Sequence, residues 1–135
     1  MGYRSCVAIA LYGTKEKVEL VDNLLLQRLT PEYDRELFER LKQVVDTDEE
    51  RMIVWTFDDI KWYADMDAYK DMLFSWVEEI NDAVDDHEKN FRLAVDFVRT
   101  GESSDDNETE FSSDSEYVLS ITRRIEIPNN FTWRC

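Results

Sequence analysis

YRSCVAIALYG, Tyr3 to Gly13, is the stretch from which the rest of the chain can be read. Val7, Ile9 and Leu11 fall on one face of an extended strand, and Cys6, Ala8 and Ala10 on the other. Both faces are apolar, which is the pattern of a central strand covered on at least one side by helices. Gly13 breaks the strand, and Thr14 is placed to cap a helix from about Lys15 to Leu29. Val18, Val21, Leu25 and Leu29 recur there at helical spacing. TPEYDRELFERLKQVV then restarts a helix, with Thr30 as cap and Pro31 at the first helical position. Leu37, Leu41, Val44 and Val45 supply its apolar face, and DTDEE ends it.

RMIVWTFDDIKWY is strand-like, with Ile53, Trp55 and Phe57 alternating. A third helix is expected from about Asp67 to Glu88. NFRLAVDFVR and EYVLSITRRIEI read as two more strands, a hairpin joined by a long polar loop. The order is therefore β-α-α-β-α-β-β in a single domain spanning residues 1–135. The expected fold class is α+β: a four-stranded, mostly antiparallel sheet with three helices packed on one face. Gly101 to Ser115 holds one apolar residue, Phe111, and with so little to bury it is expected to be mobile.

The chain has 135 residues, 43% of them hydrophobic, enough for an ordinary core without staples. Its 31 acidic and 16 basic residues leave a net charge of -15. Such a surface repels nucleic acid and anionic lipid, so direct binding to either is not expected. No 18-residue apolar run is present, and MGYRSCVAIALYG does not read as a signal peptide. The two cysteines, Cys6 and Cys135, are accordingly expected to be reduced thiols in a cytoplasm.

The charge is concentrated. Asp65 to Glu116 carries 17 acidic and 4 basic residues, a net of -13, whereas the other 83 residues carry a net of -2. Solubility of a small domain needs a magnitude of only about 2–8, and crowding like charges costs stability. At about 100° per residue, Tyr69, Leu73, Trp76, Ile80, Ala83, Val84 and His87 share the apolar sector of the third helix. Asp71, Glu78, Glu79, Asp82, Asp85 and Asp86 share the opposite one. The following loop adds Glu102, Asp105, Asp106, Glu108 and Glu110, then Asp114 and Glu116. Phe74 falls on the polar side, where an exposed aromatic beside carboxylates can anchor a protein partner. These rows of carboxylates make a partner-binding surface; a solvated helix face is the plainer alternative.

Other chemistry is thinly represented. DDNETEFSSDSE, Asp105 to Glu116, has oxygen side chains at several EF-hand positions, but Glu110 stands where that loop needs glycine. Asp58, Asp59 and Lys61 match the strand element of metal-dependent nucleases, a three-residue coincidence in a protein that repels the substrate. The single histidine, His87, lies on the apolar side of its helix and has no nucleophile assigned to it. Gly2, Gly13 and Gly101 are isolated, so no phosphate loop is present. Trp55, Trp62 and Trp76 read as core. No catalytic residue, cofactor or metal is assigned, and the chain is not expected to be an enzyme.

MGYRS followed by VAIALYG, then TFDDIKWY, FVRTGE and LSITRRI, resembles a family of small proteins encoded by bacteriophages and prophages. The likeness spans most of the chain in short blocks and brings no assigned active site. It implies an accessory protein acting in the bacterial cytoplasm. Combined with the acidic region, it leads to an expected function: inhibition of a host defence protein of restriction, CRISPR or nuclease type. The carboxylates would imitate DNA and occupy the partner's basic nucleic-acid-binding groove. A phage accessory protein with some other protein interface is the alternative, and a small metal-dependent nuclease a distant one.

Overall fold

The structure, a computed structural model, describes residues 4–29, 32–62, 64–83, 93–101, 106–121, 125–128 and 131. In chain order the elements are β1 (Arg4–Thr14), α1 (Lys15–Arg28), α2 (Glu32–Leu41), β2 (Lys42–Asp46) and β3 (Glu50–Lys61). Then follow α3 (Ala64–Asp82), β4 (Ala94–Thr100), β5 (Asn107–Phe111), β6 (Ser120–Ile121) and β7 (Ile125–Glu126). The main sheet has the order β2-β3-β1-β4-β5, with every neighbouring pair antiparallel. β1 lies at its centre, where Ile9 is opposite Trp55 of β3 on one side and Phe97 of β4 on the other.

All three helices cover one face. Val18, Val21 and Leu25 of α1, Leu37 and Phe38 of α2, and Tyr69, Leu73 and Val77 of α3 pack on Val7, Ile9, Leu11, Trp55, Phe57 and Phe97. Phe38 sits edge-on to Trp55, Phe57 and Tyr69 at centroid distances of 5.1–6.1 Å, a geometry that aligns ring edges with ring faces. The opposite face, lined by Ala8, Ala10, Val54 and Val98, is covered by Leu119, Ile125 and Phe131 from the end of the chain. Alanines at positions 8 and 10 leave room for that segment to lie close to the sheet.

The sheet thus has five strands where four are expected from the sequence: β2 and β5 are gained and the expected last strand is lost. Val44 and Val45, read as the apolar face of the second helix, belong to β2. Two adjacent β-branched residues lose little in an extended strand, and β2 turns tightly into β3, Thr47 N–H donating to the Glu50 carbonyl at 2.9 Å. Val45 packs against the second core, but Val44 is 46% exposed. The expected mobile loop contains β5, which pairs with β4 from Asp96↔Phe111 to Thr100↔Asn107; residues 102–105 lie outside the described ones.

The described residues of EYVLSITRRIEI do not pair with β4. Residues 115–119 carry no strand, and β6 and β7 form a separate two-stranded ribbon on the second face. α3 runs Ala64–Asp82, starting earlier than expected, and the predicted stretch from Val84 to Glu88 lies outside the described residues. Thr14 occupies the N-cap position of α1 without a side-chain cap hydrogen bond; Lys15 N–H instead bonds the Glu49 carbonyl at 3.1 Å. Thr30 and Pro31 lie outside the described residues. Cys6 is in a disulfide, which corrects the expectation of a free thiol; the chain's other cysteine, Cys135, is outside the described residues. No helix among the described residues is long and apolar enough to cross a membrane.

Candidate functional site

α3 and β5 place the acidic residues. β5 is the edge strand beside β4, and its side chains alternate. Glu108 and Glu110 stand opposite Arg99 and Phe97, whose side is that of the helices. Alternate residues of a strand are about 6.7 Å apart, so these carboxylates form a row along the sheet edge. α3 runs beside it and is tied to it. Lys70 Nζ donates to Glu110 at 2.7 Å, Glu78 accepts from Ser113 N–H at 2.9 Å and from its hydroxyl at 3.1 Å, and Asn81 donates to Asp114 at 3.2 Å. From Asp71 to Asp82 the helix adds a second row about 16 Å long.

The two described cations of this region, Lys70 and Arg99, lie beneath the anions. Lys70 is 11% exposed, while its partners Asp71 and Glu110 are 67% and 46% exposed. Arg99 is 10% exposed, while Asp106 and Glu108, at 2.7 and 2.8 Å, are 34% and 51% exposed. Arg99 also donates to the Ser5 hydroxyl at 2.9 Å, which anchors it to β1. Lys70 reaches under the helix to lie 5.0 Å from the centroid of the Phe97 ring. Burial lowers the Lys70 ammonium pKa, and the bonds to Glu110 and Asp71 more than offset this, so the net shift is upward. Asp106 raises that of Arg99 against its burial, and Glu108 adds to the effect. Both countercharges therefore stay protonated, leaving their carboxylate partners on the outer side.

Of the expected partner-binding residues, Asp71, Glu79 and Asp82 are exposed on α3, and Glu108 and Glu110 are exposed on β5. Asp106 is half-buried against Arg99, and Glu78 is partly engaged in holding residue 113. Phe74 is not an exposed anchor: it is partly buried and packs on the helix-side core. Trp76 and Ile80 pack there as expected, whereas Ala83 is exposed. Asp85, Asp86, Glu102, Asp105 and His87 lie outside the described residues. The segment counted as EF-hand-like runs through the extended strand β5, not a coordinating loop. Among the described residues no cluster of three or more His, Cys, Asp or Glu side chains could hold a metal ion.

One polar cluster escapes a reading based on periodicity. Asp96, fully buried on the second face, accepts from the Tyr12 hydroxyl at 3.0 Å and from the Ser115 hydroxyl at 2.6 Å. It also accepts from the backbone N–H groups of Val118 at 2.9 Å and Leu119 at 3.4 Å. Tyr12 in turn accepts from Glu116 N–H at 2.8 Å. The chain crosses this cluster with Tyr117 at φ 55, a left-handed conformation braced by Tyr117 N–H on the Ser115 hydroxyl at 2.9 Å. A lone aspartate inside the apolar run LAVDFV was the available signal. A cavity of about 320 Å³ opens beside the cluster, lined by Tyr12, Arg51, Met52, Asp114, Glu116 and Val118 among others.

Burial pushes the Tyr12 phenol well above its ordinary value, with Asp96 adding to the shift. The unfolded chain ionises Tyr at about pH 10, so stability present below that pH is lost as pH rises toward the folded-state value. The expected loss is up to about 1.4 kcal/mol per pH unit, reduced where cavity solvent screens the phenolate. Urea unfolding of wild type and Tyr12→Phe between pH 9 and 11 checks this. The variant should lose less stability over the interval, and equal losses would show that the phenol ionises as easily folded as unfolded.

No protein-family model, curated protein or solved structure matches the chain.

Proposed function

We propose that this is an interaction protein that presents the α3–β5 edge as a DNA-like acidic surface to a host protein's basic groove. A single observation carries the reading: Lys70 and Arg99 are sequestered while Asp71, Glu108 and Glu110, which pair with them, remain exposed. An ordinary solvated face mixes both signs at its surface; here, among the described residues, Lys70 and Arg99 act as internal ties beneath exposed carboxylates. Because the rows are held by a helix and a sheet edge, binding would not incur the ordering cost of a flexible acidic tail. Electrostatic steering would make association fast and sensitive to salt.

The proposed partners are nucleic-acid-binding defence proteins of restriction, CRISPR or nuclease type, and the proposed setting is phage infection in a bacterial cytoplasm. Thiol buffers there open disulfides. The hydrogen bonds of Lys70, Glu78, Asn81 and Arg99 that hold the acidic edge do not involve Cys6, so the surface should persist after reduction.

The test is inhibition of DNA cleavage by a panel of such enzymes, with heparin or duplex DNA as competitor, in the presence and absence of reductant. A mimic shares its site with polyanions, so the competitor should displace it and inhibition should weaken with salt. A partner that binds this protein and DNA simultaneously would exclude the mimic reading and favour the alternative phage interface.

A further inference from the structure

We propose that the outer edge of β2 pairs with the same edge of a second copy, making a two-fold dimer whose acidic edges face outward. β2 is the terminal strand of the sheet at the end opposite β5. Thr47 N–H donates to the Glu50 carbonyl while Glu50 N–H bonds the Thr47 hydroxyl, so this pair faces inward, and in an antiparallel ladder such pairs alternate with non-bonded ones. The register then makes Val45–Met52 and Gln43–Val54 the bonded pairs. The N–H and C=O groups of Lys42, Val44 and Asp46 therefore point away from β3, and no described strand lies beyond them.

The sequence of this edge, KQVVD, is self-complementary when run antiparallel about Val44. Val44 meets Val44 of the second copy, which covers a side chain left 46% exposed in the monomer. Lys42 meets Asp46 of the second copy on the same face, and opposite charges placed directly across a pair are favourable. Lys42 already bonds Asp22 at 2.6 Å and Asp46 already bonds Arg51 at 2.8 Å, so each is held in place and gains a second partner. The bond to Arg51 holds the Asp46 carboxyl below its ordinary value, keeping it ionised.

The other edge shows the contrast. The bond from Gly101 N–H to the Asp106 carbonyl sets the alternation there, leaving Asn107, Thr109 and Phe111 pointing outward. Pairing about Thr109 would set Glu108 against Glu110 of the second copy. Like charges block that association, a usual protection of an exposed edge. One edge is guarded and the other is self-complementary. With only five residues, the β2 edge would give a small interface and a weak dimer. Pairing at β2 does not depend on what the acidic edge binds, since β2 and β5 are at opposite ends of the sheet.

Sedimentation velocity of the full chain from about 10 to 200 µM, with and without reductant, tests it. The wild type should approach twice its 16.1 kDa mass under both conditions. Val44→Pro removes an N–H that points away from β3, so the internal ladder is kept while the dimer is lost. Asp46→Lys sets two ammonium groups opposite each other and should also give a monomer. Combining it with Lys42→Asp restores opposite charges and should recover association. Circular dichroism verifies folding, and if Val44→Pro misfolds the charge variants decide. A wild type monomeric across the range, a dimer abolished by reductant alone, or a dimer unchanged in folded Asp46→Lys would overturn the proposal.

Discussion

Asp96→Ala is expected to destabilise the protein by about 3 kcal/mol or more, a large share of the 5–15 kcal/mol typical of a domain. The substitution strips the acceptor from the Tyr12 and Ser115 hydroxyls and from the N–H groups of Val118 and Leu119. Each buried donor left without a partner costs about 1–3 kcal/mol. The loss should also free the segment that carries Leu119, Ile125 and Phe131, exposing Ala8, Ala10 and Val98 beneath it. Urea denaturation gives the free energy, and a fluorescent apolar dye reports the uncovered face. Asp96→Asn retains one acceptor oxygen and should fall between wild type and Asp96→Ala. Wild-type stability and no dye binding in Asp96→Ala would mean that the chain end is held by apolar contacts alone.

Reversing Glu79 and Asp82 to lysine should weaken binding to an inhibited target at least tenfold, about 1.4 kcal/mol, at low salt. Both residues are exposed on α3, so each reversal should alter stability by no more than about 0.5 kcal/mol. Glu78 is left intact because its bonds to residue 113 join the helix to the chain after β5. Glu16→Lys with Glu36→Lys is the matched control, exposed on α1 and α2 and outside the acidic region. The difference between the two double variants should shrink at physiological salt, because screening reaches about 8 Å there. Equal affinities at both salt concentrations would reduce the acidic edge to a solvated surface.

The acidic site was legible in the sequence as a list of residues but not as an arrangement. Helical periodicity is enough to put Asp71, Glu79 and Asp82 opposite Leu73 and Ile80, since 3.6 residues per turn leaves little freedom. Periodicity could not show that β5 would join them. NETEF has four exposed residues, Asn107 to Glu110, and no apolar alternation of its own, so its strand conformation comes from the open hydrogen-bonding groups of β4. Nor could it show that Lys70 and Arg99 would turn inward. Those two pairings reach across 40 residues and across 7–9 residues respectively, and only the packed helix and hairpin bring them together. Phe74 was misread for a related reason: a helix lying along a sheet edge is covered over more of its circumference than one apolar stripe implies.

By itself, the sequence determined the local alternatives. VAIALY, with both faces apolar, could only be a central strand. Val18, Val21 and Leu25 required a helix with one buried stripe, and the excess of carboxylates between Asp65 and Glu116 required an acidic region. Tertiary structure decided what short-range patterns leave degenerate. Val44 and Val45 suit the end of a helix or a strand, and the tight turn onto β3 selected the strand. EYVLSITRRIEI alternates well enough to join the main sheet, but β5 occupies the free edge of β4 while Asp96 holds residues 115–119 on the second face. The physical reason is the same in each case: an edge strand and a buried carboxyl are satisfied by partners distant in sequence, and their energies appear only once the chain has closed around them.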